Sequence, residues 1–277
     1  MAKQLGVHKL HGKVDEQSYY YSKNGGYQSR KINPGMGARV KNDAAYANTR
    51  LNNAEFGACG ACAGAMIRPV TQRWRFILDS IATGKMVKAM KAAMEQDTNH
   101  AWGKRLIPVS EMAGIQEVFN SFSKNEVPQP IKNALQEDFI YDSGNLAIEL
   151  LNDVELGNDD QQYFIDKGAT GVTVKVFQYT VSAPQISSSG DGYTRPMSLL
   201  SELPSYESEA DFILGASIVI INSGIVEDSL NVINDSSHFG GILVLVLPYK
   251  TVGGNTHVLQ ELCSAAWVSA KAGTVNP

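Results

Sequence analysis

Cys59-Gly60-Ala61-Cys62 pairs two thiols at a spacing used by redox couples and by half of a zinc site. A structural zinc takes four ligands, and no second Cys-x-x-Cys or His-x₃₋₅-His accompanies the pair. The Ala and Gly around it suit a narrow helix face packed closely on a neighbour, so a buried contact is expected here; whether the pair meets Cys263 stays open. His8, His11, His100, His238 and His257 show no metal spacing, and His8 and His11 would point to opposite faces of a strand. Gly84-Lys85 lacks the rest of a phosphate-binding loop, because Asp79 and Met86 stand where Gly and Ser or Thr are needed. Gly35-Met36-Gly37 lacks the third glycine of a dinucleotide fingerprint. Asp235-Ser236-Ser237-His238 holds the residue types of a hydrolase triad, yet chain neighbours seldom converge and no Gly-x-Ser-x-Gly elbow is present. Asp153, Glu155, Asp159 and Asp160 could hold a calcium ion but lack EF-hand spacing. Carboxylate pairs for glycoside chemistry converge only in three dimensions. The expectation is a chain without enzymatic activity, with no catalytic residues, cofactor, metal or small-molecule substrate.

The elements that would carry such residues fall into two parts of opposite charge. The chain has 277 residues, 43% apolar and 19% charged, with no apolar run near the roughly 20 residues that span a bilayer. Polar sequence directly after Met1 gives no secretory signal, and three cysteines make no disulfide framework, so a soluble, unsecreted protein, cytoplasmic or held within an assembled particle, is expected. Residues 1–105 carry 17 Lys and Arg against 7 Asp and Glu, net +10; residues 106–277 carry 7 against 21, net −14. Such a split suits a basic part that meets nucleic acid, a basic end of one copy that meets the acidic end of the next, or two domains with surfaces of one sign each.

Tyr19-Tyr20-Tyr21, a turn at Asn24-Gly25-Gly26, and Tyr27 predict a hairpin. Asp43 is a fitting N-cap for a helix through Ala44, Ala47, Leu51 and Ala54, which the glycines of residues 57–64 should loosen. Ile67, Val70, Trp74, Ile77, Leu78 and Ile81 recur at three and four residues and predict a second helix; Met86, Val87, Met90, Ala93 and Met94 predict a third. Beyond residue 106 the pattern becomes mainly β. Residues 172–181 alternate, 212–222 and 242–247 suit strands buried on both faces, Gly253-Gly254 links two runs, and residues 263–270 suit a last strand. The expected fold class is α+β: a hairpin-plus-helical domain over 1–105 and an antiparallel β-sandwich or jelly-roll-like domain over 106–277. The Ser-, Gly- and Pro-rich residues 182–211 are long enough for a contact arm or ligand loop.

Residues 12–30, with Tyr19-Tyr20-Tyr21-Ser22-Lys23, Gly26-Tyr27 and Arg30, and the run from Arg39-Val40-Lys41-Asn42-Asp43 through Asn52-Asn53-Ala54-Glu55-Phe56-Gly57, resemble an uncharacterised family of hypothetical proteins from Bacteroidetes. The resemblance covers about the first hundred residues, brings no activity or catalytic residue with it, and implies a chain of bacterial or phage type. The leading expectation is a structural subunit that assembles with copies of itself, head to tail, into a filament, tubule, sheath or virion-like particle. Its interface would use Tyr19, Tyr20, Tyr21, Tyr27, Arg30, Arg39 and Arg50, with the tyrosine strands adding to a neighbour's sheet edge. A hairpin that folds back on its own helices is the alternative. Nucleic-acid binding would instead use Arg30, Lys31, Arg39, Lys41 and Arg50 on phosphates, with tyrosines stacked on bases. A β-sandwich ligand-binding module is the third reading, and a pocket lined by residues 182–211 would favour it.

Overall fold

Aromatic residues on both sides of a glycine turn favour a hairpin, and the tyrosines form one. In the computed structural model, β3 (Gln17–Ser22) pairs antiparallel with β4 (Gly26–Lys31), setting Tyr21 opposite Tyr27 and Tyr19 opposite Ser29. The short strands β1 (Ala2–Lys3) and β2 (Gly12–Val14) flank them in the order β1-β4-β3-β2. Helix α1 (Met36–Asn42) follows, then a 3-10 turn over Ala44–Tyr46 in which the Asp43 carboxylate accepts the Ala45 N–H at 3.0 Å. The residues described are 2–4, 8–22, 25–108, 111–142, 147–190, 192–203, 206–227 and 238–269; Asn24 of the expected turn, Asp235, Ser236, Ser237 and Ala270 lie outside them. The chain divides into two compact units, residues 1–53 and 54–277.

That division falls within α2 (Ala47–Arg73), not after Arg105. The glycines of residues 57–64 do not loosen the helix. Ala58, Cys59, Cys62, Ala63 and Met66 form its buried face, and tertiary packing there outweighs the low helix propensity of Gly57, Gly60 and Gly64. The expected second helix also differs. α2 ends at Arg73, and residues 74–81 are turns, with the Asp79 N–H bonded to the Phe122 carbonyl and the Lys124 N–H to that of Ile77. Ile77 and Leu78 are buried by this route, so the helical spacing belongs to a series of turns that feed one core. α3 (Ala82–Met94) forms as the periodicity requires, with Met86, Met90 and Met94 fully buried.

Three further helices, none of them foreseen, stand in the part expected to be mainly β: α4 (Met112–Asn120), α5 (Gln129–Glu137) and α6 (Asn158–Ile165). Each spans two or three turns, too few for a period to stand out from the surrounding strands. Among them run β5 (Phe139–Asp142), β6 (Ala147–Leu150) and β7 (Val154–Leu156). The centre is β8 (Gly171–Ser182), paired over its whole length with β13 (His238–Val252). β9 (Ser198–Glu202) and β10 (Ser208–Asp211) share one side of β8; β14 (Asn255–Val258) and β15 (Ser264–Ser269) share the far side of β13. β11 (Ile218–Ile221) pairs with β7 and β12 (Gly224–Glu227) with β6. Of the dense run 212–222, only β11 is strand; Gln161 holds the rest as a turn by bonding the Ile213 N–H at 2.9 Å and the Ala216 carbonyl at 2.7 Å.

The sheet is buried on both faces, as its uninterrupted apolar runs require. Phe177, Tyr179, Leu243, Leu245 and Trp267 pack with α2, α3 and α4, while Val172, Val174, Val176, Val244 and Val246 pack with α5, α6 and the smaller strands. The class is α+β, with a β-rich C-terminal part. Helix and sheet are joined at one point by a backbone need. Pro69 has no N–H to give the Ala65 carbonyl four residues earlier. The buried Tyr179 hydroxyl donates there at 3.0 Å and also lies against the Met66 carbonyl. Gly171 serves a second close approach, since a Cβ there would lie 2.4 Å from the Tyr249 ring and 2.6 Å from the Ala210 carbonyl.

Tyr179→Phe leaves that carbonyl unsatisfied and should cost about 1–3 kcal/mol in urea unfolding. Gly171→Ala should cost a similar ~1–3 kcal/mol through overpacking. Wild-type stability in the first variant would remove the hydroxyl's assigned role.

Candidate functional site

A strand presents alternate residues to opposite faces, so pairing register sorts the N-terminal sheet into two surfaces. Val14, Tyr19, Tyr21, Tyr27 and Lys31 share one; Lys3, Lys13, Tyr20 and Arg30 share the other. Tyr21 and Tyr27 meet edge to face with centroids 5.1 Å apart, and Arg30 lies 5.8 Å from the centre of the Tyr20 ring. Tyr21 is 58% exposed, and among the described residues of 1–53 none is buried. This unit has nine Lys and Arg against three Asp and Glu, net +6; the remainder has fifteen against twenty-five, net −10.

The expected interface residues separate on this geometry. Tyr19, Tyr21 and Tyr27 come together on one face and Tyr20 lies on the other, and since β3 and β4 are interior strands they offer faces where an edge was expected. Arg50 is occupied within its unit, donating to the Val40 and Asp43 carbonyls at 3.0 and 2.8 Å. Arg39 stands 3.7 Å from the Asp43 carboxylate and Lys31 3.1 Å from that of Glu16, while Lys41 is exposed on α1.

An acidic surface with exposed apolar residues lies on the second unit. In β7 and β11 the inward residues are Val154, Leu156, Ile218 and Ile220, which leaves Glu155 and its register partner Val219 outward. Ile213 and Leu214, on the adjoining turn, are 56% and 69% exposed. Asn158, at the start of α6, bonds the Gly215 N–H at 3.1 Å, and Asp159 and Asp160 follow it in the first helical turn. The carboxylates considered for calcium are thus spread over separate elements, and Asp153 accepts the Ser223 N–H at 2.5 Å. Among the described residues, no three of His, Cys, Asp and Glu converge as a metal set, and no helix is long and apolar enough to cross a membrane.

All three cysteines are buried in the core beneath the helices. Burial pushes the Cys59 and Cys263 thiols each up to about 12, and that of Cys62 higher still, so all three stay protonated and unreactive near neutrality. Strand edges are treated unequally. Asn120 takes both the N–H and the carbonyl of Trp267 (2.7 and 3.0 Å), Ser123 takes the Ala265 N–H, and Asn125 bonds the Cys263 carbonyl, which closes β15 to further pairing.

A buried charged knot escaped sequence reasoning. The fully buried Glu55 accepts from the Gly103 N–H (2.8 Å), from Arg105 Nε and Nη2 (2.8 and 2.7 Å) and from Lys91 Nζ (2.6 Å), which ties α2 to α3 and to the loop 97–106. The sole signal for it is a glutamate among small residues at the start of the buried helix face. Burial raises its carboxyl, but Arg105, Lys91 and the Gly103 N–H together outweigh burial and hold it at about 2. With both oxygens occupied, Glu55 is a brace rather than a free base. No protein-family model, curated protein or solved structure matches this chain.

A depressed carboxyl stabilises the fold above its unfolded value near 4.5 and loses that contribution as pH falls through about 2. Acid unfolding of the second unit should therefore steepen below about pH 4.5. Glu55→Gln, which leaves Arg105 without a carboxylate partner and Lys91 with Glu95 alone, should cost about 3–5 kcal/mol at pH 7 and flatten the acid limb. Calorimetry across pH 2–7 reads both effects, and an unchanged acid limb in the variant would show that Glu55 does not carry it.

Proposed function

We propose that this chain is a non-enzymatic structural subunit that assembles head to tail, the N-terminal sheet of one copy docking on the acidic, partly apolar surface around β7 and β11 of the next. The observation that carries the reading is a four-stranded sheet in which no described residue is buried. About fifty residues without a core do not hold a sheet by apolar burial, and a partner surface supplies what is lacking. The tyrosine face brings large contact area at low cost in side-chain entropy.

Charge selects the partner. A unit of net +6 finds its complement on a body of net −10, and every copy carries both. The β7 and β11 surface matches in kind, with Ile213, Leu214 and Val219 for the rings and Glu155 and Asp159 for Lys31 on the tyrosine face and for Lys9, whose ammonium lies 6.0 Å from the centre of the Tyr27 ring. Two unlike patches that repeat from copy to copy make a heterologous contact, which extends into a filament or closes into a ring. The second reading, a nucleic-acid-binding coat protein, is favoured by the opposite face of the sheet, where Lys3, Lys13 and Arg30 accompany Tyr20. It uses a surface that the tyrosine contact leaves uncovered.

Sedimentation of two variants and their mixture tests the contact. Tyr21→Ser/Tyr27→Ser keeps the acceptor and Leu214→Lys keeps the donor, so each alone should sediment as a monomer. Their equimolar mixture should stop at dimers, because each pair has one sound contact and no second to extend it. Polymers from either variant alone, or a mixture that stays monomeric, would sink this arrangement.

A further inference from the structure

A cleft of about 650 Å³ opens between α2 and the segment that leads into β9, and Arg68, Arg73 and Arg195 all line it beside Gln72. Among the described lining residues there is no carboxylate. The partly buried cations of this unit are neutralised, Arg105 and Lys91 by Glu55, and Lys175 by Glu202 and Glu207 at 2.8 and 2.6 Å, whereas Arg68, Arg73 and Arg195 are exposed at the rim of the cleft. Among the described residues, none of the three cleft arginines has an acid within salt-bridge reach. Three arginines thus line one cleft without an acid to offset them, on a body of net −10, and an anion bound there would supply the countercharge.

Their placement is built. Arg195 is the one arginine after Arg105 in the sequence. The chain on both sides of it is fastened to the segment leaving β8: Ser182 Oγ accepts the Met197 N–H at 2.7 Å, the Ser182 N–H reaches the Met197 carbonyl at 2.8 Å, and Gln185 and Thr194 exchange two bonds of 2.7 and 3.0 Å. One residue earlier in the same segment than these anchors to Arg195, the Tyr193 hydroxyl donates to the Arg105 carbonyl at 2.9 Å, which links it to the Glu55 brace. Across the cleft, Arg73 rests over the Trp74 ring at 5.9 Å, and Trp74 in turn packs edge to face on the buried Phe177 at 5.1 Å. Ala61, Ala65 and Pro69 keep the wall of α2 low and apolar between the arginines.

We infer that this cleft binds a small phosphate-bearing molecule with two or more phosphate groups, held by the guanidinium groups of Arg68, Arg73 and Arg195. Arginine's planar fork meets phosphate oxygens in pairs and is shed of water more readily than an ammonium, which suits it to this anion. Three guanidinium groups carry more positive charge than the roughly −2 of one phosphate group offsets, and a volume of about 650 Å³ lies in the range that encloses a small organic ligand. The apolar wall accepts the part of the molecule that carries no charge. No residue of this site belongs to the proposed assembly contact, so it stands or falls independently of that reading.

Calorimetric titration of the full chain with ATP, tripolyphosphate, citrate and a single-stranded oligonucleotide, at about 50 mM salt, tests the assignment. ATP and tripolyphosphate should bind saturably, with citrate at least tenfold weaker. Arg195→Gln and Arg68→Gln should each weaken ATP at least tenfold, whereas Arg75→Gln, an exposed neighbour outside the cleft, should not. The inference is overturned by absence of saturable ATP and tripolyphosphate binding, by equal losses in the Arg75 variant, or by citrate binding as tightly as ATP. Preference for the oligonucleotide with the same arginine dependence would also overturn it, and would transfer the cleft to nucleic acid.

Discussion

Twelve consecutive residue pairs between β8 and β13 set the geometry that every other element of the second unit answers to. A ladder of that length fixes which residues face which side, and a slip of one position would exchange a strand's two apolar sets between the faces and unfit both to their cores. Because both faces of this pair are apolar, both must be covered, and the chain covers one with α2, α3 and α4 and the other with short strands and helices. The remaining polar needs are met individually. Tyr179 serves the carbonyl that Pro69 leaves without a partner, Asn120 serves both backbone groups of Trp267, and Glu55 gathers two cations and an N–H.

The N-terminal unit lacks any such organising pair of faces. Its strands are paired, its turns are closed by Asp43 and Arg50, and Tyr21 and Tyr27 are ordered against one another, yet none of the described residues of 1–53 is buried. Backbone pairing alone contributes little net stability against the entropy of ordering the chain. On the proposed assembly, contact with another molecule would resolve this imbalance, and the opposite net charge of the two units is the reason for proposing a second copy of the chain. The closed edge of β15 is consistent with assembly through faces, since it removes one route for unselective strand pairing.

What was legible in the sequence was local. The tyrosine hairpin, the methionine face of α3, β8 and the Gly253-Gly254 turn all follow from spacing and turn chemistry within about fifteen residues. The α+β class follows from the change of period along the chain. The continuity of α2 was hidden because Gly57, Gly60 and Gly64 look like breaks until a neighbour is known to pack on the small residues between them. The stripe of residues 67–81 misled for the converse reason, since Ile77 and Leu78 reach the same core through turns. Glu55, Lys91 and Arg105 are separated by tens of residues, as are Arg68 and Arg195, and such convergence leaves no spacing to read. The acidic, apolar surface was equally hidden, because Glu155 and Val219 become neighbours only through the pairing of β7 with β11.

Completion of the N-terminal sheet by another copy, as proposed, is open to direct test by amide hydrogen exchange at two protein concentrations. In dilute solution the amides of β3 and β4 should exchange rapidly, and at high concentration and low salt they should become protected, while those of β8 and β13 stay slow throughout. Raising the salt, which shortens the screening length from about 10 Å at 0.1 M, should reverse the gain. Protection of β3 and β4 that is the same at both concentrations would contradict the account, for the sheet would then be stable within a single chain.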